Sequence, residues 1–341
     1  MTNVDHQQPI LAAMRAAFPA VDPALAPYYN MMGYHLGWLD ERFEPDTAST
    51  GKLIRPTLVL LANRVYGGRD EQALPLAAGI QLLHDFSLVH DDIEDRSATR
   101  RGRTTVWTIW GLAHGINVGD GMFTLAHRAV HQLNDVGVPA HRVLRILREF
   151  DETILRVCEG QYLDMSAEGQ LDISVPRYLQ MIRGKTATLA GASASLGARV
   201  ATDDAAQIDA MEEFGLALGM AFQIQDDVLD IWGDPALTGK PFAADLIQRK
   251  MSLPVIHGLA HASDADRLQF EAIYRQPNLA PSDLETLMAI LDRSESRSYA
   301  EALAHDEYQR AMAALDRIEP SAGSSTDDLR KLAHSLLNRV R

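Results

Sequence analysis

Residues 74–95 read LPLAAGIQLLHDFSLVHDDIED. From Leu74 to Ile93 the apolar residues recur at helical spacing and cover most sides of the turn, as in a helix buried inside a bundle. The helical period continues outward in both directions. Leu58–Val65 is an apolar run that follows Pro56, a residue suited to a first helical turn, and is closed by Gly67-Gly68. Further helical patterns cover roughly residues 108–134, 140–165, 175–200, 204–232, 249–260, 264–275, 281–292, 295–317 and 326–340. Short clusters of turn formers separate them, among them Gly67-Gly68-Arg69-Asp70, Val136-Gly137-Val138-Pro139, Gly233-Asp234-Pro235, Pro277-Asn278 and Pro320-Ser321-Ala322-Gly323. None is long enough for an interdomain linker. Alternating β-branched runs flanked by hairpin dipeptides do not recur. The spacing predicts an all-α fold, one large helical domain over residues 1–341 with the opening 25 residues loosely docked.

The chain has 341 residues, 32 basic and 46 acidic side chains, and a formal net charge of −14. That balance argues against a nucleic-acid surface, which needs clustered Lys and Arg to displace counterions. With 46% hydrophobic and 23% charged residues the composition is globular, not disordered. The single cysteine, Cys158, excludes an internal disulfide and a multi-cysteine metal cluster, fits a reducing cytoplasm, and reads as core. Met1–Asp22 lacks the basic start and long apolar block of a signal peptide. No apolar run reaches the roughly 18 residues of a membrane span. The small-residue stretch Thr186–Val200 predicts close helix packing.

The long helix ends in acid. At about 100° per residue, His84, Asp91 and Asp95 fall within about 20° of one stripe. Two carboxylates one turn apart repel each other. Taken alone, such an end reads as a solvated acidic cap beside the basic segment 96–103. A second cluster changes the weighing. In FQIQDDVLD (222–230), Gln223, Asp226, Asp227 and Asp230 share one helix stripe between apolar flanks. Charges entering from apolar helices need partners or metal ions. The pair predicts a cleft with carboxylates on facing walls. Mg²⁺ suits it, since this ion takes a few carboxylates and completes its shell with substrate phosphates.

Three basic motifs accompany the acids: Gly51-Lys52-Leu53-Ile54-Arg55-Pro56, Arg100-Arg101-Gly102-Arg103, and Gly239-Lys240-Pro241 followed by Asp245 and Lys250. Arg183-Gly184-Lys185-Thr186 adds a cation and a hydroxyl. Each alone is a routine surface patch. Beside two metal-type clusters they make a diphosphate the natural ligand.

Six motifs in order then carry a resemblance: GKLIRP (51–56), HDFSLVHDDIED (84–95), RRGRTTVW (100–107), GKTA (184–187), FQIQDDVLD (222–230) and GKPFAADL with KMSLP (239–254). They resemble the trans-isoprenyl diphosphate synthases of the polyprenyl synthetase family, most closely its short-chain geranylgeranyl and farnesyl diphosphate synthases, over roughly residues 45–260. The resemblance implies a single helical bundle around a deep central cavity, the isoprenoid synthase fold, assembled as a homodimer without a membrane span. It implies Mg²⁺-dependent head-to-tail (1'-4) condensation of isopentenyl diphosphate with an allylic diphosphate, two or three ions per site, and Mn²⁺ as a substitute. Asp91 and Asp95 would hold ions from one side, with Asp92 supporting. Asp226 would hold the third, with Asp227 and Asp230 alongside. Arg100, Lys185, Thr186, Gln223 and Lys240 would bind the allylic diphosphate. Lys52, Arg55, His84 and Arg101 would bind isopentenyl diphosphate, and Lys250, Arg339 and Arg341 are weaker carry-overs. Leu53, Thr104 and Ala243 depart from the residues most frequent at their places.

The same resemblance puts product length on the fifth and fourth residues before Asp91, here Phe86 and Ser87. A large Phe86 beside a short acid cluster points to a linear all-trans C20 product, with C15 and C25 next. Helix geometry supports this in part, since Ser87 falls about 40° from Asp91 and Phe86 about 140° away. Two other readings stand as alternatives. A class I terpene cyclase shares the first cluster but mixes Asn, Ser or Thr and Glu in its second. A non-catalytic subunit of a heteromeric synthase would be expected to lose acid-cluster residues.

Overall fold

The computed structural model describes residues 4–46, 51–238, 241–276 and 278–337. Helices dominate: α1 (Val4–Ala16), α2 (Ala26–His35), α3 (Ile54–Val65), α4 (Asp70–Glu94), α5 (Val106–Trp110), α6 (Leu112–His131), α7 (Ala140–Ala167), α8 (Val175–Ile182), α9 (Thr188–Ala201), α10 (Ala205–Trp232), α11 (Pro235–Thr238), α12 (Ala244–Ile247), α13 (Leu253–His261), α14 (Asp264–Tyr274), α15 (Pro281–Arg293), α16 (Ser296–Asp316) and α17 (Asp327–Leu337). Among the described residues the strands are a pair of two-residue pieces, β1 (Thr99–Arg100) and β2 (Arg103–Thr104), so the fold is all-α, as the spacing predicts. The pattern at 108–134 divides at Gly111, whose φ of 92° no helix accommodates, into α5 and α6. The pattern at 175–200 is interrupted by a π-helical turn at Arg183–Ala187. No helix among the described residues is long and apolar enough to cross a membrane.

The chain groups into two compact units that alternate along the sequence. The first comprises Met1–Asp151, Ser193–Ile208 and Glu319–Ser325; the second comprises Glu152–Ala192, Asp209–Ile318 and Thr326–Arg341.

In the first unit α4 and α6 run antiparallel. A Cβ on Gly79 would lie 2.6 Å from Val130 and 3.0 Å from the Ala126 carbonyl, and a Cβ on Gly119 would lie 2.2 Å from His90. Glycine on each helix thus sets how closely the two approach. Leu76, Ile80, Leu82 and Met122 are fully buried. The opening segment, expected to dock loosely, buries Ile10 and Met14 of α1 and Ala17 just after it to 1% exposure or less, and Arg128 Nε donates to the Ala17 carbonyl at 3.0 Å. The small-residue stretch packs as predicted: a Cβ on Gly197 would lie 2.5 Å from the Val59 carbonyl of α3.

In the second unit, Ile224 and Val228 of α10 pack with Tyr178, Met181 and Ile182 of α8, Leu253 and Ile256 of α13 and Ala300 of α16. A neighbouring core joins Ile231, Leu246, Val255, Phe270, Leu287 and Ile290. Cys158, read as core from its apolar surroundings, is exposed. The reason is helical phase. Thr153 and Gly160 are buried and lie about 140° and 160° around the helix from Cys158, whereas Leu155 and Tyr162, which are 61% and 68% exposed, lie within about 60° of it.

Candidate active site

The first acid cluster lies wholly in the first unit. α4 ends at Glu94 and presents Asp91 half-buried, Asp92 buried and Asp95 as an exposed C-cap. The helix dipole opposes negative charge at this end, so the cluster calls for cations. The next segment supplies them. β1 and β2 pair antiparallel, Thr99 with Thr104 and Arg100 with Arg103, across a turn at Arg101-Gly102. Both turn residues have positive φ, 53° and 75°, the sign pattern of a type I′ hairpin turn. Arg100 then reaches back. Its Nε donates to Asp92 Oδ1 at 2.6 Å and its Nη2 to Asp91 Oδ2 at 3.1 Å. Burial pushes the Asp92 carboxyl up to about 6 although Arg100 pulls it down.

Arg103 fastens the hairpin to the end of α2, donating to the Tyr34 carbonyl at 2.9 Å and the Leu39 carbonyl at 2.6 Å. Arg101, at the tip, comes within 3.7 Å of Asp85. Gly51, with φ of 79°, lies beside it, and a Cβ there would be 3.3 Å from Arg101 Nη2. Arg55, in the first turn of α3, donates from Nη1 to His84 Nε2 at 3.3 Å. Burial and the charges of Arg55 and Arg101 hold the His84 imidazole well below its ordinary pKa, so it is neutral and able to accept. Burial also pulls Arg55 down to about 10, which leaves it charged at neutral pH. Of the four residues assigned to isopentenyl diphosphate, Arg55, His84 and Arg101 are brought together, while Lys52 is exposed at the entrance to α3. Leu53, one of the departures from the common motif, is buried at the N-cap of α3 with φ of 47°.

Phe86 packs edge-on against His90 at 5.0 Å and Phe123 at 5.3 Å between centroids, towards α6. Ser87 Oγ donates back to the His84 carbonyl at 2.7 Å.

The second acid cluster lies wholly in the second unit. Asp226 is half-buried, and Asp227 and Asp230 are buried. A chain of hydrogen bonds fixes the stripe: Thr186 Oγ1 donates to Gln223 Oε1 at 3.0 Å, and Gln223 Nε2 donates to Asp227 Oδ1 at 3.1 Å. The other Asp227 oxygen accepts from the Tyr178 hydroxyl and from the Leu253 N–H. Burial pushes the Asp227 carboxyl up to about 6, with Lys250 the largest opposing influence. Burial disfavours the Lys250 charge, yet Asp245, Asp227, Asp230 and Asp164 together hold it well above the ordinary lysine range. Lys185 Nζ donates to Asp164 Oδ2 at 2.5 Å. Its placement comes from the π-helical turn, where Gly184 meets Gly160 of α7. A Cβ on Gly160 would lie 2.1 Å from the Lys185 backbone nitrogen. Lys240, Arg339 and Arg341 lie outside the described residues.

His35, Asp85, Asp164 and Tyr178 take part in these networks without having been singled out by the motifs. His35 lies upstream of the motif-bearing stretch, and Asp164 and Tyr178 carry no spacing signal. Asp85 falls off the stripe of His84, Asp91 and Asp95 and so carries no signal of its own.

The acids fit a magnesium site in their donor chemistry. Among the described residues no group of three or more His, Cys, Asp or Glu side chains is arranged to hold an ion unaided. What they offer is oxygen only, in small numbers, as Mg²⁺ takes when phosphate oxygens and water fill its other positions. Desolvation has a consequence testable without any ion. Asp227 protonates near pH 6 when folded and near 3.8 when unfolded. The folded chain therefore binds more protons in that window, and stability rises as pH falls through it. In divalent-free buffer the melting temperature of Asp227→Asn should change less between about pH 7.5 and pH 5 than that of the unaltered protein. Identical shifts in the two proteins would exclude Asp227 as a source.

The model of the polyprenyl synthetase family matches residues 37–291. A geranylgeranyl diphosphate synthase of Mycobacterium tuberculosis is 40% identical over 309 residues, covering 90% of this chain and 86% of that protein. A (2E,6E)-farnesyl diphosphate synthase of Mycobacterium bovis is 35% identical over 337 residues, covering 97% and 90%. Among solved structures, a polyprenyl synthetase from Streptomyces coelicolor superposes with a TM-score of 0.87 at 32% identity, covering 98% of this chain and 97% of that one. Two Asp clusters on helices, each set among cations, stand here on a fold shared with that structure, and the chain belongs to the polyprenyl synthetase family as a prenyltransferase, a prenyl diphosphate synthase.

Proposed function

We propose that this enzyme condenses isopentenyl diphosphate head to tail (1'-4) with an allylic diphosphate, with Mg²⁺, to give a linear all-trans C20 diphosphate and free diphosphate. The observation that carries the reading is Arg100 spanning Asp91 and Asp92. A cation and two carboxylates share one helix end, which suits a diphosphate arriving with its metal ions. The C20 assignment draws on Phe86 and on the geranylgeranyl diphosphate synthase at 40% identity, with C15 and C25 as its alternatives.

Asp91, Asp95 and Asp226 would hold the ions, with Asp92, Asp227 and Asp230 supporting, and Mn²⁺ could substitute. When bound, the ions neutralise charge that builds on the departing diphosphate. Arg100, Lys185 and Lys240 would add positive charge towards the allylic diphosphate as its C–O bond ionises. Thr186 and Gln223, already hydrogen-bonded to one another, orient that diphosphate. Lys52, Arg55, His84 and Arg101 hold isopentenyl diphosphate so that its alkene attacks the allylic carbocation. The proton lost afterwards goes to the departing diphosphate. No protein nucleophile takes part. The exposed apolar residues Leu155, Tyr162 and Met165 on α7 favour pairing with a second copy as a homodimer, and the single cysteine favours a cytoplasmic setting.

The test is a Mg²⁺-dependent incubation with labelled isopentenyl diphosphate and, separately, C5, C10 and C15 allylic primers. A dominant linear C20 alcohol after dephosphorylation is expected. Folded protein that incorporates no label with any primer would overturn the reading, and a cyclic hydrocarbon formed without isopentenyl diphosphate would replace it with a cyclase.

A further inference from the structure

One buried acid in the first unit has no part in the chemistry above. Asp85 is 2% exposed. Its Oδ2 accepts from Gln81 Nε2 at 2.7 Å, one turn earlier on α4. Its Oδ1 is buried and accepts no hydrogen bond. Arg101 Nη2 stands 3.7 Å from that oxygen and His35 Nε2 stands 3.8 Å from it. His35 Nε2 and Arg55 Nε are also buried without a hydrogen-bond partner. Orphaned buried polar atoms are rare, and each calls for an explanation such as a ligand, a water or a task. Here two of them, on Asp85 and His35, stand beside Arg101 of the isopentenyl diphosphate set, and the third belongs to Arg55 of the same set.

Packing does not explain an acid at this place. A buried carboxylate is costly, and an apolar residue of similar size would fill the space without that cost. Placing a negative charge near an anion site also weakens the site's attraction unless the acid does something else. What it faces indicates the task. Arg101 sits at a hairpin tip, where its long side chain has many rotamers to choose from. Asp85 offers it an inward anchor. His35 backs the carboxylate from α2, whose end is fastened to the same hairpin by Arg103. Burial and the neighbouring arginines pull His35 down to about 3, so it adds no charge of its own.

We propose that Asp85, backed by His35, is a positioning residue for isopentenyl diphosphate: it holds Arg101 by one edge and offsets the repulsion between Arg101 and Arg55, so that both guanidiniums meet the diphosphate already aligned. The proposal rests on the synthase reading above and extends its binding site to α2. Preset donors lose less freedom on binding than mobile ones, so the effect belongs in the affinity for one substrate.

Asp85→Asn keeps the shape and removes the charge. Its KM for isopentenyl diphosphate should rise about 10-fold or more, its KM for the allylic primer should stay within about 2-fold, and kcat should move far less than the first KM. Calorimetry of isopentenyl diphosphate with the primer-free protein should show weaker binding by a similar factor. His35→Asn should raise the same KM by about 3-fold, and it carries the test if Asp85→Asn does not fold. A KM for isopentenyl diphosphate that is unchanged or lower overturns the proposal, and so does an equal rise in both KM values. Failure of the unaltered enzyme to incorporate label is a different result. It strikes the synthase reading, while the calorimetric comparison still decides the role of Asp85.

Discussion

Asp91→Asn should lower kcat/KM for condensation by about 10³-fold or more, with little change in melting temperature. The substitution keeps the side-chain volume and removes one charge and one strong oxygen ligand. Losing a single group aimed at developing transition-state charge costs about 10²–10³-fold, and weakened hold on a metal ion adds to that. Arg100 keeps its Nε bond to Asp92 at 2.6 Å, so the substitution leaves that cation anchored. Stability should hold because Asp91 is half-buried at a helix end and repels Asp95 one turn later. Steady-state kinetics at several Mg²⁺ concentrations separate the terms. A loss partly recovered at high Mg²⁺ identifies a ligand; a loss below about 10-fold at every concentration would remove Asp91 from the metal-binding set.

Phe86→Ala should shift the dominant product from C20 to C25 and longer. The ring occupies space between α4 and α6, against Phe123 and His90, one turn and a little more before Asp91. Its removal opens a void of the kind that, at roughly 150 Å³ and with apolar walls, stays dry and accepts a benzene-sized guest. An added isoprene unit is of that size. A fully buried Phe→Ala change costs about 3–5 kcal/mol, and the partial exposure of Phe86 places its cost below that range, so the variant should fold. Product sizing with a C15 primer is the measurement. An unchanged C20 profile from folded protein would make Phe86 a packing residue and move attention to Ser87, which lies nearer to the Asp91 direction on the helix.

Much of the fold is legible in the sequence because long apolar helices carry a strong period. Leu74–Ile93 announces α4, and the acids at its end announce themselves by repelling one another in a place that needs compensation. The second cluster is legible for the same reason. The period does not mark where it breaks. Gly111 and the π-helical turn at 183–187 are departures of a residue or two inside patterns that look continuous. β1 and β2 are too short to show alternation, yet their turn aims Arg100 and Arg101 in different directions. Partners from distant segments were the least readable. Nothing in Ser174–Ile182 says that the Tyr178 hydroxyl reaches Asp227, and nothing near residue 35 says that a histidine stands behind Asp85. Exposure of Cys158 was also hidden, because an apolar stripe on a helix looks the same whether it faces a core or the outside.

The contact between Gly160 and Gly184 bears on how this enzyme tolerates change. The Lys185 backbone nitrogen sits where any side chain on Gly160 would have to go. The peptide that carries Lys185 is therefore placed by two residues that have no functional group at all. In a saturation screen read for turnover, both glycines should rank among the least replaceable positions, and a survey of chemically active side chains would pass over each of them.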